Sequence, residues 1–235
     1  MIEFITAKND EEMGGIAASM IAQAIGENPQ LVLGLATGSS PLSLYGELIR
    51  LHRDEALDFS GVRTVNLDEY AGLPADHPQS YRYFMDTNLF NHINIDPANT
   101  HLPDGNAQDL GVECARYDGL VEGLGGIDVQ VLGIGGNGHI GFNEPSDRFS
   151  NHTLAVSLAQ DTIEANSRFF ESPDEVPRQA ITLDIKHIMQ AKKIVLVAFA
   201  NKKEILEKAL YGDITAQVPA SVLQLHQDVT AIICS

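Results

Sequence analysis

Residues 133–145 read GIGGNGHIGFNEP and directly follow the apolar run IDVQVL. Five glycines fall between Gly133 and Gly141, and among them stands one histidine, His139. Imidazole is the side chain whose ordinary pKa lets it change charge near neutral pH. Glu144, five residues on, brings a carboxylate that can orient the ring. An acid–histidine pair of this kind moves protons. Asn137, two residues before His139, offers an amide that hydrogen-bonds without ionising. A glycine-rich turn with a capping histidine gives the same letters, and the pattern alone leaves both readings open.

Two further stretches carry chemistry. LATGSSP (35–41) ends an apolar run and meets Pro41, a residue favoured where a helix opens. Gly38 lets the backbone turn. The hydroxyls of Thr37, Ser39 and Ser40, with the free N–H groups there, suit an anion such as phosphate. Plain capping of the helix by Ser39 or Ser40 is the alternative. It is not a Walker A loop, because no GK[ST] follows. VNLDEY (65–70) puts Asp68 and Glu69 at the end of another apolar run. A carboxylate there is a general base if its surroundings raise its pKa, and otherwise a cap or a surface acid.

These pieces need a scaffold that brings them together. IEFIT, LVLGLA, VRTVNL, IDVQVLGI, KKIVLVAFA and DVTAIIC read as short strands. Amphipathic segments alternate with them. Met13, Ile16, Ala17, Met20, Ile21, Ala24 and Ile25 recur at helical spacing behind an acidic first turn. Strands apolar on both faces, alternating with helices, predict an α/β fold: one domain over 1–235 with an open, mostly parallel, Rossmann-like sheet flanked by helices on both faces. Right-handed crossovers then set the C-terminal ends of the strands along one rim, where ligands bind. A phosphate cradle, a carboxylate and a His/Glu pair on that rim suit acid–base work on a small phosphorylated molecule. Residues 145–180, rich in Asn, Ser, Asp and Pro, are the least regular part. They read as a flap over the rim or as an ordinary surface excursion.

Composition narrows the classes. A chain of 235 residues with 44% hydrophobic and 20% charged residues suits one globular core. Its net charge of −17 argues against nucleic acid and anionic membrane surfaces as partners. Positive charge is still available locally, since six of the seven lysines lie between Lys186 and Lys208. Cys114 and Cys234 are far apart, and the eight histidines lack an HxxxH or CxxC pattern, so no disulfide framework and no metal site are expected. The N-terminus has no signal-peptide character, and no apolar run approaches the roughly 20 residues that span a bilayer. A cytoplasmic protein is expected.

NLDEYAGLPADHPQSYRYFM, GIGGNGHIGFNEP and NSRFF together resemble the glucosamine-6-phosphate deaminase (isomerase, deaminating) family. The resemblance runs from the strand before TGSSP to SVLQLH, and GHIGFNEP is its most specific block. Related 6-phosphogluconolactonases share the fold and a GH-containing loop, but FNEP and LDEY are not expected in them. The resemblance implies a sugar-phosphate substrate. Glucosamine 6-phosphate is opened, isomerised as an aldose–ketose pair, and releases ammonia to give fructose 6-phosphate in amino-sugar catabolism. No metal or organic cofactor is implied.

Carried over, Asp68 is the base that moves a proton between C2 and C1 through a cis-enolamine. His139 handles the proton at the ring oxygen and O1, and Glu144 orients it. Thr37, Gly38, Ser39 and Ser40 hold the phosphate, with Arg168 of NSRFF and Lys202 of FANKK as cationic partners. Lys203 is the alternative in register to Lys202. Asn137 stands where many relatives have aspartate, so a fully charged Asp-His-Glu relay is not available. An amide there can still fix the His139 tautomer by a hydrogen bond.

Residues of about 160–180 correspond to a helical lid over the rim, which keeps the enolamine from water. Some relatives are hexamers activated by N-acetylglucosamine 6-phosphate through basic residues just after the catalytic loop. Leu154 and Val156 stand at those positions here, which implies a monomer or small homo-oligomer without that activation. Two other readings share the scaffold. A sugar-lactone phosphate hydrolase does not need Asp68 as a carbon-acid base. A sugar-phosphate sensor needs a DNA-binding domain, for which the sequence shows no basic helix-turn-helix.

Overall fold

The computed structural model describes residues 2–158, 160–167, 170, 172 and 175–234. Its strands are β1 (Ile2–Ala7), β2 (Val32–Leu35), β3 (Arg63–Asn66), β4 (Asp68–Tyr70), β5 (Thr100–His101), β6 (Val129–Leu132), β7 (Leu154–Ser157), β8 (Gln179–Thr182), β9 (Lys193–Ala198) and β10 (Val229–Cys234). Its α-helices are α1 (Asp10–Glu27), α2 (Leu42–Glu55), α3 (Tyr81–Asn88), α4 (Leu110–Gly123), α5 (Gln160–Ser167), α6 (Ile185–Met189) and α7 (Lys203–Tyr211).

The main sheet has seven strands in the order β1-β10-β9-β6-β2-β3-β5, and every pairing in it is parallel. The expected α/β architecture is therefore present. Its cause is visible in β2 and β6, which are buried at every position and so need cover on both faces. Met13, Ile21, Leu44 and Leu48 pack on one face against Leu33 and Val131. Tyr117, Val121 and Leu206 pack on the other against Val65 and Leu196. Truncating one such leucine to alanine costs about 2–5 kcal/mol, so the two layers hold the rim rigid. Helix starts follow their caps. Asn9 accepts from the Glu12 N–H at 2.8 Å and opens α1, and Ser80 accepts from the Tyr83 N–H at 3.0 Å and opens α3. No described helix is long and apolar enough to cross a membrane.

The strand order explains where a ligand fits. From β2 the chain runs outward through β3 to β5, then returns to the opposite side of β2 as β6 and continues to β9. Loops leaving β2 and β6 therefore diverge and open a crevice at this switch point.

Three expectations need correction. Asp68 does not end β3. The chain leaves the main sheet after Asn66, and Asp68 opens β4 in a separate antiparallel sheet of order β4-β8-β7, where Asp68 pairs with Thr182. Pro41 does not occupy the first helical position. It sits at the cap of α2, and neither serine hydroxyl caps that helix. Residues 145–180 are more regular than their composition suggests, since β7, α5 and the start of β8 fall within them. Of the lid expected at about 160–180, α5 is helical, while Arg168 lies outside the described residues.

Candidate active site

The parallel sheet brings four strand ends to one cavity of about 710 Å³. That size is in the range of small-molecule sites. Thr37, Gly38, Ser39 and Ser40 reach it from β2, and Asp68 from the turn after β3. Gly133 through Gly136, Asn137 and His139 line it after β6, and Asn201 and Lys202 after β9.

The cradle after β2 is free for a ligand. Because no side chain caps α2, the first N–H groups of this 14-residue helix and the hydroxyls of Ser39 and Ser40 stay uncommitted to each other. Lys202 supplies a cation to the same cavity and lies 3.6 Å from where a Cβ on Gly136 would stand. Lys203, the neighbour in register, instead pairs with Glu207 at 3.9 Å along α7.

Asp68 is 6% exposed, and no described protein group hydrogen-bonds its carboxylate. Burial first, and the charge of Glu69 second, push its pKa up to about 8. Glu69 differs although it is adjacent and also buried. Its carboxylate accepts the N–H groups of Tyr70 at 2.9 Å, Tyr81 at 2.8 Å and Arg82 at 2.9 Å. Burial raises its pKa, and those three bonds act in the opposite direction. Glu69 thus clamps β4 to the start of α3, while Asp68 is left bare in the cavity.

His139 is half-buried, with 22% of its side chain exposed. Its Nδ1 meets Glu144 Oε2 at 3.3 Å. The same oxygen accepts from Asn137 Nδ2 at 2.7 Å, and Asn137 Oδ1 accepts the His139 N–H at 3.1 Å. Asn137 therefore reaches the imidazole through Glu144 and does not bond the ring itself. The acidic partner is held by an uncharged amide, so the ring faces one carboxylate rather than two.

Two of the glycines are required by contact. A Cβ on Gly135 would lie 2.3 Å from Nε2 of His139, so the ring rests directly on that backbone. Gly141 has φ +57, and a Cβ there would stand 3.0 Å from Thr182 Oγ1 and 3.3 Å from Asp68 Oδ2. Only glycine lets the loop backbone pass this close to Asp68 at residue 141. Gly135→Ala pushes the imidazole out of place. Turnover falls by about ten-fold or more, because misplacing a reacting group by an ångström costs that much or more. The check is kcat beside the melting temperature, which moves little because the contact a Cβ would crowd is the partly exposed His139 ring rather than a core side chain.

Some residues at the site carried no recognised signal. Tyr81 lines the cavity, stacks on Phe142 with ring centroids 5.9 Å apart, and shares hydrogen bonds with Thr37 and Tyr70. Tyr81 follows the Ser80 cap at the start of α3, and its contacts with Phe142 and Thr37 join residues too distant in sequence for any local pattern to show. Thr182 Oγ1 accepts the Phe142 N–H at 3.0 Å, and Asn143 Nδ2 donates to the Leu183 carbonyl at 2.8 Å. These bonds fasten the His139 loop to β8. Nothing in the sequence pairs residues so far apart.

Comparison with known proteins places the chain in a family. Residues 9–232 match the family model for glucosamine-6-phosphate isomerases/6-phosphogluconolactonase. A glucosamine-6-phosphate deaminase of Clostridium perfringens (strain ATCC 13124) is 52% identical over 99% of this chain and 96% of its own length. One from Lachnoclostridium phytofermentans is 54% identical, covering 99% of both chains. Among solved structures, a monomeric glucosamine-6-phosphate deaminase superposes with a TM-score of 0.95 at 47% identity, over 99% of this chain and 97% of that one. By the match along nearly its whole length, this chain belongs to the glucosamine-6-phosphate isomerase/6-phosphogluconolactonase family.

Proposed function

We propose that this protein is a deaminating isomerase that converts glucosamine 6-phosphate and water to fructose 6-phosphate and ammonia. The observation that carries the reading is Asp68, a buried carboxylate without a hydrogen-bonded partner among the described residues, in the same cavity as His139, which Glu144 supports, and the open helix terminus. A lactone hydrolase has no carbon–hydrogen bond to break and does not need Asp68 as a carbon-acid base. A carbon acid does need one, because a proton next to an aldehyde is only weakly acidic.

The steps follow from the placement. The phosphate sits on the Thr37–Ser40 turn with Lys202 beside it. In an acidic protein, fixed donors and a placed cation are enough to hold an anion. His139 takes the proton of the O1 hydroxyl and returns a proton to O5, which opens the ring. Glu144 supports the charge that this puts on the imidazole. Asp68 then removes the C2 proton, the electron pair forms the C1–C2 double bond while the C1 carbonyl oxygen takes up a proton to give the enolamine, and Asp68 returns its proton to C1 as the nitrogen lone pair forms the C2–N double bond. The resulting C2 iminium takes up water and expels ammonia, leaving the ketone. Tyr81, stacked on Phe142 and bonded to Thr37, keeps the cradle and the His139 loop in register. Residues of about 160–180 close over the site, and Arg168 couples that closure to the phosphate.

Residues 1–235 act as a single domain, in the cytoplasm, as a monomer or small homo-oligomer. The close structural relative is monomeric, which supports that assignment. Offered glucosamine 6-phosphate and 6-phosphogluconolactone side by side, the purified protein releases ammonia and fructose 6-phosphate in equal amounts from the first. Its rate curve is hyperbolic with or without N-acetylglucosamine 6-phosphate. Lactone hydrolysis without ammonia release would overturn the reading, and a sigmoidal curve made hyperbolic by the acetylated sugar would overturn the unregulated form of it.

A further inference from the structure

Asp68 faces the catalytic cavity, but Glu69, the next residue along β4, lines a second cavity of about 360 Å³. Arg82, His101 and Arg116 line that second cavity together with the 102–106 turn. We propose that it is a separate binding site for a small oxyanion, either inorganic phosphate or the phosphate group of a small metabolite, held by Arg82, Arg116 and His101.

The argument rests on which donors are already used. Arg82 gives Nε to Asp86 at 3.1 Å and Nη1 to the Thr100 hydroxyl at 2.9 Å, and its Nη2 has no partner among the described residues. Arg116 gives Nε and Nη2 to Glu113, each at 2.6 Å, and keeps Nη1. The His101 ring has no hydrogen-bond partner among the described residues, although it is partly buried. One terminal nitrogen of each guanidinium and one imidazole thus remain on the lining of a cavity wide enough for a phosphate, and charged donors of this kind bind one.

The acids nearby are each engaged by other groups. Glu69 is taken up by three backbone N–H groups, and Asp104 Oδ1 accepts from the Asn106 N–H at 2.9 Å. Asp86 and Glu113 are spent on the same two arginines. Burial, then the charges of Arg116, Arg63 and Arg82, hold the His101 pKa below its ordinary value. The charges that act on His101 there are those of arginines, on a chain whose net charge is −17. Occupancy also touches the catalytic strand. Gly72 donates to the Gly105 carbonyl at 2.9 Å, and the Arg82 N–H bonds Glu69 Oε2 at 2.9 Å, so the pocket is tied to the middle of β4 and to the turn after it.

The test follows the His101 imidazole resonances of labelled protein during titration with inorganic phosphate and, separately, with glycerol 3-phosphate. Sodium chloride at matched ionic strength is the reference. A saturable shift of His101 is expected, with its pKa rising as the anion binds. Response to both probes marks a site for phosphate groups of metabolites, and response to inorganic phosphate alone marks a site for the free ion. Arg116→Gln weakens the binding by about ten-fold or more, and Arg116→Lys recovers part of it, as loss of a charged donor requires. His101 signals that move no further with either phosphate than with chloride overturn the proposal. So does a midpoint that is the same in Arg116→Gln as in the native chain. This readout is separate from turnover and from His139, so its failure leaves the proposed reaction untouched.

Discussion

Asp68→Asn lowers kcat on glucosamine 6-phosphate by about 10²–10⁴-fold, the usual worth of a positioned acid or base, while sugar-phosphate affinity stays within a few-fold. The two effects separate because Asp68 makes no bond that shapes the cavity. The amide keeps the volume of the carboxylate and removes only its basicity. The free native enzyme should also show an acid limb in kcat/KM. Its base has a pKa of about 8, so the reactive carboxylate becomes more populated as pH rises toward that value.

The same residue gives a stability signature. Burial raises the folded pKa of Asp68 from 3.8 to about 8, so between those values the folded chain keeps a proton that the unfolded chain has lost. Stability from this group is greatest at low pH and falls as pH rises, by about 1.4 kcal/mol per pH unit within the window. Above pH 8 or so the slope ends. Asp68→Asn removes the penalty, and its advantage over the native chain grows from pH 5 to pH 8. Urea unfolding of both proteins across that range checks it, and a difference that stays flat with pH contradicts the buried, unpaired state of Asp68.

The second large effect belongs to His139. His139→Gln lowers turnover by about 10²-fold or more on the closed-ring substrate, because the glutamine cannot relay a proton between O1 and O5. On an analogue that stays open-chain the loss is small. Glu144→Gln acts in the same direction but more weakly. The amide still fills the place beside Asn137 and loses only the charge that supports an imidazolium. Native rates for His139→Gln on the closed ring would remove the ring-opening role. Asn137→Asp is the informative companion, since it places a second carboxylate against Glu144 Oε2, 2.7 Å from the amide now there.

Much of this was legible in the sequence, for reasons that differ by element. The repeat from Met13 to Ile25 predicted α1 because a helix buries every third or fourth residue. The runs at β2 and β6 predicted a covered parallel sheet because both of their faces are apolar. The loop after β6 was legible because its glycines let the backbone lie against the His139 ring and near Asp68. Asp68 itself was placed on the right rim but in the wrong sheet. β4 is three residues long and exists only through its pairing with β8, more than 100 residues away. Neither partner has enough length to show alternation. Tyr81 and Thr182 were missed for the same reason, since each acts through contacts that only the folded chain creates. Asn137 stood out as a departure from many relatives, yet its real contact, with Glu144 rather than the ring, needed the three-dimensional loop.

The central claim is that the Asp68 carboxylate removes the C2 proton. It is tested most directly with glucosamine 6-phosphate carrying deuterium at C2. The native protein should turn it over with a primary isotope effect and move the label from C2 to C1 of fructose 6-phosphate or to solvent. Asp68→Asn should bind the sugar phosphate and leave the label at C2. Loss of that label at an undiminished rate in Asp68→Asn, or ammonia release with deuterium still on C2, would contradict it.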